Sequence, residues 1–320
     1  MIKYIIKRLL WLIPVLICVA FVIFTLLYFT PGDPVEAALG EGATVEQMAI
    51  KRAELGLDDP YIVQLLRFFK QLFIDFDLGK SYVYGNSVMG QLMQRLPRTA
   101  AIAAVCCVLQ LIIAVPLGVT AAVHQNGFTD RFCILLAIIC NSIPNFWFAM
   151  ILVVVFSLQL KVLPSSGIGH WYNYIMPCMA GCLTGVGGVA RQTRSQMLEV
   201  IRSDYIVTAR AQGHSESTIR YRYALPNALV PVITSVGTYF GRTLGGTVVI
   251  ETVFSIPGIG MYLVEAVGNR DYPAVRGSVV VLAILFSLVM LLVDLCYAFI
   301  DPRVKAQYEN QKKKKVKTHA

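Results

Sequence analysis

Asp204-Tyr-Ile-Val-Thr-Ala-Arg-Ala-Gln-Gly-His-Ser-Glu-Ser-Thr-Ile-Arg-Tyr-Arg-Tyr-Ala-Leu-Pro-Asn227 is a polar stretch in a chain that is otherwise mostly apolar. Three cues divide it. Asp204 is a capping residue type and predicts a short helix through Ala211. Gly213 is the usual residue for a left-handed stop. Ser215, with Glu216 just inside, predicts a second short helix, and Pro226 predicts the start of the hydrophobic helix beyond. The product is a helix-turn-helix elbow. Its expected small-residue side is Ala209, Ala211 and Gly213, and Arg210, Arg220 and Arg222 are expected to be open to anionic partners. The plain alternative is an ordinary amphipathic loop.

Around this elbow the composition is that of a membrane. Of 320 residues 56% are apolar and only 15% charged, with a mean hydropathy of +0.63, where soluble proteins carry roughly a quarter charged residues. Apolar runs at about 11–29, 99–123, 132–156, 175–190, 226–250 and 277–299 approach or exceed the ~20 residues that cross a bilayer as helix. The predicted fold is an all-α polytopic membrane protein of six spans, with both termini on one side. Lys3, Lys7 and Arg8 precede the first run, as in a signal peptide. That run is longer than a signal core, though, and ends in Pro31-Gly32-Asp33-Pro34 rather than at a small-residue cleavage site, so an uncleaved helix is expected. The fourth run carries Gly181, Gly185, Gly187 and Gly188, suited to close helix contact. Four segments follow: residues 1–30, a tail and first span; 31–98, a long polar insert; 99–300, a five-helix core containing the loop 191–227; and 301–320, a basic tail.

Charge fixes the orientation. The tails, the loop around Arg131 and residues 191–225 hold 17 Lys/Arg against 6 Asp/Glu, whereas residues 30–98, 157–174 and 251–276 hold 10 against 12. By the positive-inside rule both termini and the elbow are cytoplasmic. The net charge of +9 therefore follows topology and forms no nucleic-acid footprint. The run Lys312-Lys313-Lys314-Lys315-Val316-Lys317 can bind anionic lipid headgroups or simply anchor topology.

Ionisable residues inside spans are functional candidates. Arg242 falls about 24 Å up from Pro226 at 1.5 Å per residue, and Asp294 about 8 Å from the cytoplasmic end of the last run, too far apart for a direct pair. Arg242 is expected either to line a water-filled cavity that guides an anionic substrate or to pair with another subunit. Asp294 is expected at the interface or along the path. Glu251 closes the fifth run before Pro257, Gly258 and Gly260 break it. A folded-back external segment near the path, or else a plain turn, is expected there.

Catalytic patterns are missing. Gly79-Lys80-Ser81 lacks the glycine five residues earlier that a phosphate loop needs, because Ile74 stands there. No G-x-S-x-G or H-E-x-x-H occurs, the four histidines are scattered, and the eight cysteines form no C-x-x-C pair.

The elbow resembles the EAA loop of bacterial ABC importer permeases, on Thr208-Ala209-Arg210-Ala211-Gln212-Gly213 followed by Tyr223-Ala224-Leu225-Pro226-Asn227. It departs at Gln212, where Lys is common, and at Tyr223, where His is common. The rest of the chain is similar to the first permease type of the dipeptide/oligopeptide/nickel family. The stretches that carry this are Phe29-Thr-Pro-Gly-Asp-Pro34, Leu55-Gly-Leu-Asp-Asp-Pro60, Asp77-Leu-Gly-Lys-Ser81, Arg95-Leu-Pro-Arg-Thr99, Ile143-Pro-Asn-Phe-Trp147, Leu163-Pro-Ser-Ser-Gly167, Glu251-Thr-Val-Phe254, Arg270-Asp-Tyr-Pro273 and Asp301-Pro-Arg303. The resemblance implies an importer in the bacterial cytoplasmic (inner) membrane. Its other parts would be a second homologous permease, two ATPase subunits that hold ATP and Mg, and an external solute-binding protein. It makes Thr208, Ala209, Arg210, Ala211, Gly213, Ser215, Leu225 and Asn227 the ATPase-coupling residues. This chain would then be no enzyme and hold no cofactor or metal. Peptides are the expected cargo, with nickel complexes, glutathione or oligosaccharides as alternatives. A secondary transporter would instead need a coupling carboxylate near the midplane and often an internal repeat. A structural or signalling membrane protein would need no elbow.

Overall fold

A backbone in an apolar medium must satisfy its own polar groups, which favours unbroken helix. The computed structural model describes residues 2–40 and 42–300. Among them the one extended pairing is an isolated bridge between Lys80 and Ser87. Helix α1 runs Ile2–Phe29, followed by α2 (Pro34–Leu39), α3 (Val45–Leu55), α4 (Tyr61–Phe73), α5 (Val88–Val123), α6 (Phe128–Ser142) and α7 (Asn145–Leu152), which continues as a π-helical stretch, Val153–Gln159. A 3-10 turn, Trp171–Tyr174, leads into α8 (Ile175–Ile201). Then come α9 (Asp204–Ala211), α10 (Glu216–Thr218), a π-helical stretch Ile219–Ala224, α11 (Leu225–Val253), α12 (Ile259–Gly268) and α13 (Tyr272–Ile300). Leu9–Phe29, Val88–Val123 and Tyr272–Val293 are long and apolar enough to cross a membrane, and the bent pair Phe128–Ser142 with Asn145–Gln159 makes a fourth if counted as one span. The basic tail, 301–320, lies outside the described residues.

Several boundaries differ from the sequence expectation. The third run is broken: Pro144 offers no N–H and holds Ile143 extended (φ −79°, ψ 123°), so its two halves meet at 95°. Helix α5 begins at Val88, well before Thr99, so the end of the expected insert is already core helix. Helix α8 likewise continues past Ala190 to Ile201. Pro226 does not open a helix, because the path from Glu216 to Val253 is continuously helical and Leu225 N donates to Arg220 O across the π turn.

The chain divides into two units. The first holds Met1–Ile102, Val153–Pro177 and Leu244–Ser287; the second holds Ala103–Leu152, Cys178–Thr243 and the chain from Leu288. In the first unit local chemistry sets the short helices. Asp33 accepts from Val35 N at 2.9 Å, with Pro34 at the first helical position. Thr44 and Gln47 cap each other, and Gly56 ends α3 at φ +64°. Helix α4 lays Leu65 and Phe68 on Ala20 and Phe24 of α1 and Val280 of α13. A second cluster joins Leu78, Val88 and Leu92 to Ile259 and Tyr262 of α12 and Val275 of α13. Buried Asp271 accepts from Ser81 Oγ and, at 3.0 Å, from Tyr82 N.

The second unit is packed with small and β-branched residues: Ala114, Ala137, Val186, Val189, Ala190 and Val232. Gly187 lies directly against the carbonyl of Ala137, and a Cβ on Gly118 would stand 2.5 Å from the carbonyl oxygen of Ala190. Neither backbone can retreat without breaking helix, so these contacts require glycine. Gly187→Leu is therefore expected to lower stability by about 1–3 kcal/mol or to abolish folding. Gly268→Ala, with open space at that position, should be near neutral. Thermal-shift size-exclusion in detergent compares the two.

Candidate functional site

The elbow is anchored from beneath. Ile206 and Ala209 of α9 are buried with Val119, Ala122, Met197, Ile219 and Ala224. Ser203, not Asp204, holds the cap position with extended backbone (φ −74°, ψ 152°), and its hydroxyl donates to Val200 O at 2.6 Å. Asp204 lies in the first helical turn, where its charge favours the helix dipole. Gly213 ends α9 at φ +84°, with Gly213 N donating to Arg210 O at 3.0 Å and His214 N to Ala209 O at 3.4 Å. Ser215 Oγ accepts from Thr218 N at 3.3 Å, the expected second cap. Thr208 Oγ1 donates to Asp204 O at 3.0 Å and Asn227 Nδ2 to Tyr223 O at 2.9 Å, so both polar groups serve the elbow's own backbone. Leu225 is half-buried against the anchoring cluster.

Two further details correct the sequence reading. Ala209 is buried, while Ala211 and Gly213 are exposed; positions two apart on a helix point to nearly opposite sides, so no single small-residue face exists. Arg210 is not free, because its guanidinium donates twice to Glu216, at 2.6 and 3.3 Å. This fork holds the Glu216 carboxyl below the usual carboxylate range. Arg222 is exposed and Arg220 half-buried. The outward surface also carries apolar and aromatic residues among its polar ones, with Tyr205, Val207 and Tyr221 exposed by 43%, 55% and 61%. Apolar residues in an otherwise polar segment were the available sign.

A partly buried ion pair braces the same unit, and the sequence reading passed over it. Arg194 of α8 donates Nε and Nη2 to the two oxygens of Asp130 at 2.7 Å each, and Asn126 N donates to Asp130 Oδ2 at 2.8 Å. The Asp130 side chain is 5% exposed. One acid beside Arg131, in an otherwise uncharged loop, was its only trace in the sequence.

In the first unit Glu251 is fully buried. Thr99 Oγ1 donates to its Oε1 at 2.6 Å, and Met261 N donates to its Oε2 at 3.1 Å. Thr99 Oγ1 in turn accepts from Ile259 N at 2.9 Å. The chain turns between α11 and α12 through Ser255 at φ +51°, and Gly258 lies so close to the carboxyl that a Cβ would overlap it. Glu251 thus closes a helical hairpin by satisfying the free N–H groups at the start of α12. Arg98 Nη1 donates to Pro257 O at 3.2 Å on the same turn. Arg242 and Asp294 lie in α11 and α13, but their side chains fall outside the described residues.

Two outcomes are expected. Asp130→Asn should cost about 1–3 kcal/mol by removing one partner of a largely buried pair, and the double variant with Arg194→Gln should cost less than the sum of the singles. Thr99→Val leaves two buried hydrogen-bonding groups unmatched and should cost about 1–3 kcal/mol. Denaturation of the purified variants in detergent measures both.

Comparison with known proteins converges on one family. Residues 114–306 match the binding-protein-dependent transport system inner membrane component, and residues 1–103 match the N-terminal segment of the same class of membrane component. The chain is 39% identical over 309 residues to a peptide transport system permease protein of Brucella abortus (94% of this chain, 98% of that protein). It is 36% identical to the dipeptide permease DppB of Alkalihalophilus pseudofirmus (95% and 100%) and to the glutathione permease GsiC of Salmonella typhimurium (95% and 99%). In fold it is similar to a chain of the inward-facing MetNI methionine ABC transporter, with a TM-score of 0.58 at 19% identity over 67% of this chain and 98% of that one. The chain belongs to the family of binding-protein-dependent transport system inner membrane components.

Proposed function

We propose that this chain is a permease subunit of an ATP-driven importer for di- or oligopeptides, forming half of the translocation path. The observation that carries this reading is the elbow: the short helix α9, stopped at Gly213 and followed by the Ser215-capped start of the continuous helix that runs to Val253, set on the helices it joins. Moving such an element moves the spans attached to it as bodies. Peptide cargo is supported by relatives at 36–39% identity named for peptide, dipeptide and glutathione transport. Glutathione is itself a small peptide.

The remaining parts of the reading follow from the family. ATP and Mg are held by two partner ATPase subunits, which dock on Thr208–Asn227. A second homologous permease supplies the other half of the path, and an extracytoplasmic binding protein delivers cargo. The chain itself catalyses nothing. Six spans are proposed, with both termini cytoplasmic, the polar insert 31–98 external and the membrane the bacterial inner one. The distribution of Lys and Arg supports this orientation. Arg242 is proposed to line the path and Asp294 to lie near its cytoplasmic end, whereas Glu251 shapes the hairpin.

Gly213→Asp tests coupling. Open space surrounds Gly213, but its φ of +84° strains any side chain and adds a charge to the docking surface. Expected are an assembled membrane complex, a loss of peptide uptake of at least tenfold, and loss of cargo-stimulated ATP hydrolysis. Uptake and ATPase stimulation equal to the parent would overturn the elbow's role. Recovery of the tagged chain from native membranes without a second permease and ATPases would overturn the importer reading itself.

A further inference from the structure

The first unit contains a cavity of about 670 Å³, within the range of small-molecule sites. It lies at the end of α1 remote from Lys3, Lys7 and Arg8. One wall is apolar: Phe24, Leu27 and Tyr28 of α1 with Phe68 of α4. The other wall is polar and carries Arg52, Arg67 and Arg276. Two of these cations are already matched, Arg52 to Asp33 and Asp58, and Arg67 to Asp59. The acids on the lining are matched as well, since Asp33 also caps α2 and Glu54 binds Lys51.

Arg276 is different. Its guanidinium lies 4.8 Å from the ring centre of Phe68 and 5.5 Å from that of Phe24, and its Nε donates to Tyr272 O at 3.3 Å. Tyr82 lies beside it. Asp271 acts on it only through space, because its carboxylate is bound to Ser81 and Tyr82 N. Among the described residues no carboxylate forms an ion pair with Arg276. A cation held between aromatic faces and lining a cavity, with no carboxylate in direct ion pairing, favours an anion in that cavity. A guanidinium fork matches phosphate or carboxylate oxygens in pairs.

The apolar wall decides the source. It belongs to a helical row of α1, Ile17, Phe21, Phe24 and Tyr28, of which Ile17, Phe21 and Tyr28 are 43%, 45% and 40% exposed. Tyr28, Phe29 and Tyr61 cluster there in mutual ring contact, as aromatic residues do at a membrane interface. We propose that this cavity binds a phosphate-bearing anion, the headgroup of an anionic phospholipid whose chains run along α1, and that Arg276 holds the phosphate. The site depends on Leu9–Phe29 being a membrane span, and detergent-dependent extraction tests that separately from lipid binding.

The test uses the assembly containing the full-length chain, purified in detergent and delipidated. It is titrated with phosphatidylglycerol, phosphatidylcholine and inorganic phosphate, with bound mass read by native mass spectrometry. Phosphatidylglycerol is expected to be retained over phosphatidylcholine, at least tenfold more weakly by Arg276→Gln, with partial recovery by Arg276→Lys. Arg270→Gln removes a cation that pairs with Glu36 outside the cavity and should change nothing. Gln71→Glu puts a negative charge into the lining while keeping Arg276, and should also weaken retention, so it decides the matter if Arg276→Gln does not fold. Equal retention of the two lipids, or retention unaffected by both Arg276→Gln and Gln71→Glu, would overturn the proposal. Binding of inorganic phosphate without phosphatidylglycerol would overturn the lipid source and leave a soluble-anion site.

Discussion

Each interruption of helix inside an apolar segment frees backbone donors and acceptors that lipid cannot match, and leaving one unmatched costs several kcal/mol. The organisation of this chain follows from how it meets that demand. Where α11 gives way to α12, the carboxyl of Glu251 and the hydroxyl of Thr99 take up the N–H groups of Met261 and Ile259. Gly258 is the residue that lets the carboxyl approach. A side chain that looks functional because it is acidic and deep in an apolar run is here the device that makes a hairpin possible.

The second unit solves a related problem with packing. Lipid offers helices no hydrophobic reward for associating, so close van der Waals contact must do it. Gly118 and Gly187 bring backbones together where any Cβ would overlap a carbonyl. Where α6 begins, packing alone is not enough, and the Asp130–Arg194 pair joins it to α8 through two parallel hydrogen bonds. That brace lies in the same unit as the elbow, whose Ile206 and Ala209 are sunk into the helices beneath. The elbow is therefore stiff in two respects, through its caps and through its anchoring. Stiffness is what an element needs if it is to pass a push from a partner to the membrane helices.

Polar chemistry in the first unit is arranged differently, on a surface rather than in a seam. The short helices α2 to α4 form by local capping, and α4 divides its faces between the aromatic end of α1 and the cavity that Arg276 lines. On the proposed reading, Arg276 of α13, which has no ion-paired carboxylate among the described residues, would join the fold of this insert to an anionic lipid beside α1.

What the sequence determined by itself was of two kinds. Period and punctuation were legible because they are local: the apolar runs, the left-handed stop at Gly213 and the cap at Ser215 depend on residues a few positions apart. The order of weak motifs along the chain was enough to identify the family, and with it the elbow. Matters of partnership became visible in the folded chain alone. Glu251 with Thr99, Asp130 with Arg194 and Arg276 with Phe24 are separated by 152, 64 and 252 positions respectively; no periodicity links them. The same limit explains two of the misreadings at the elbow. Arg210 looked free because nothing in its spacing from Glu216 says that the turn at Gly213 folds one back onto the other. The alanines looked like one face because composition records which residues are small, while helical rotation decides which of them are covered.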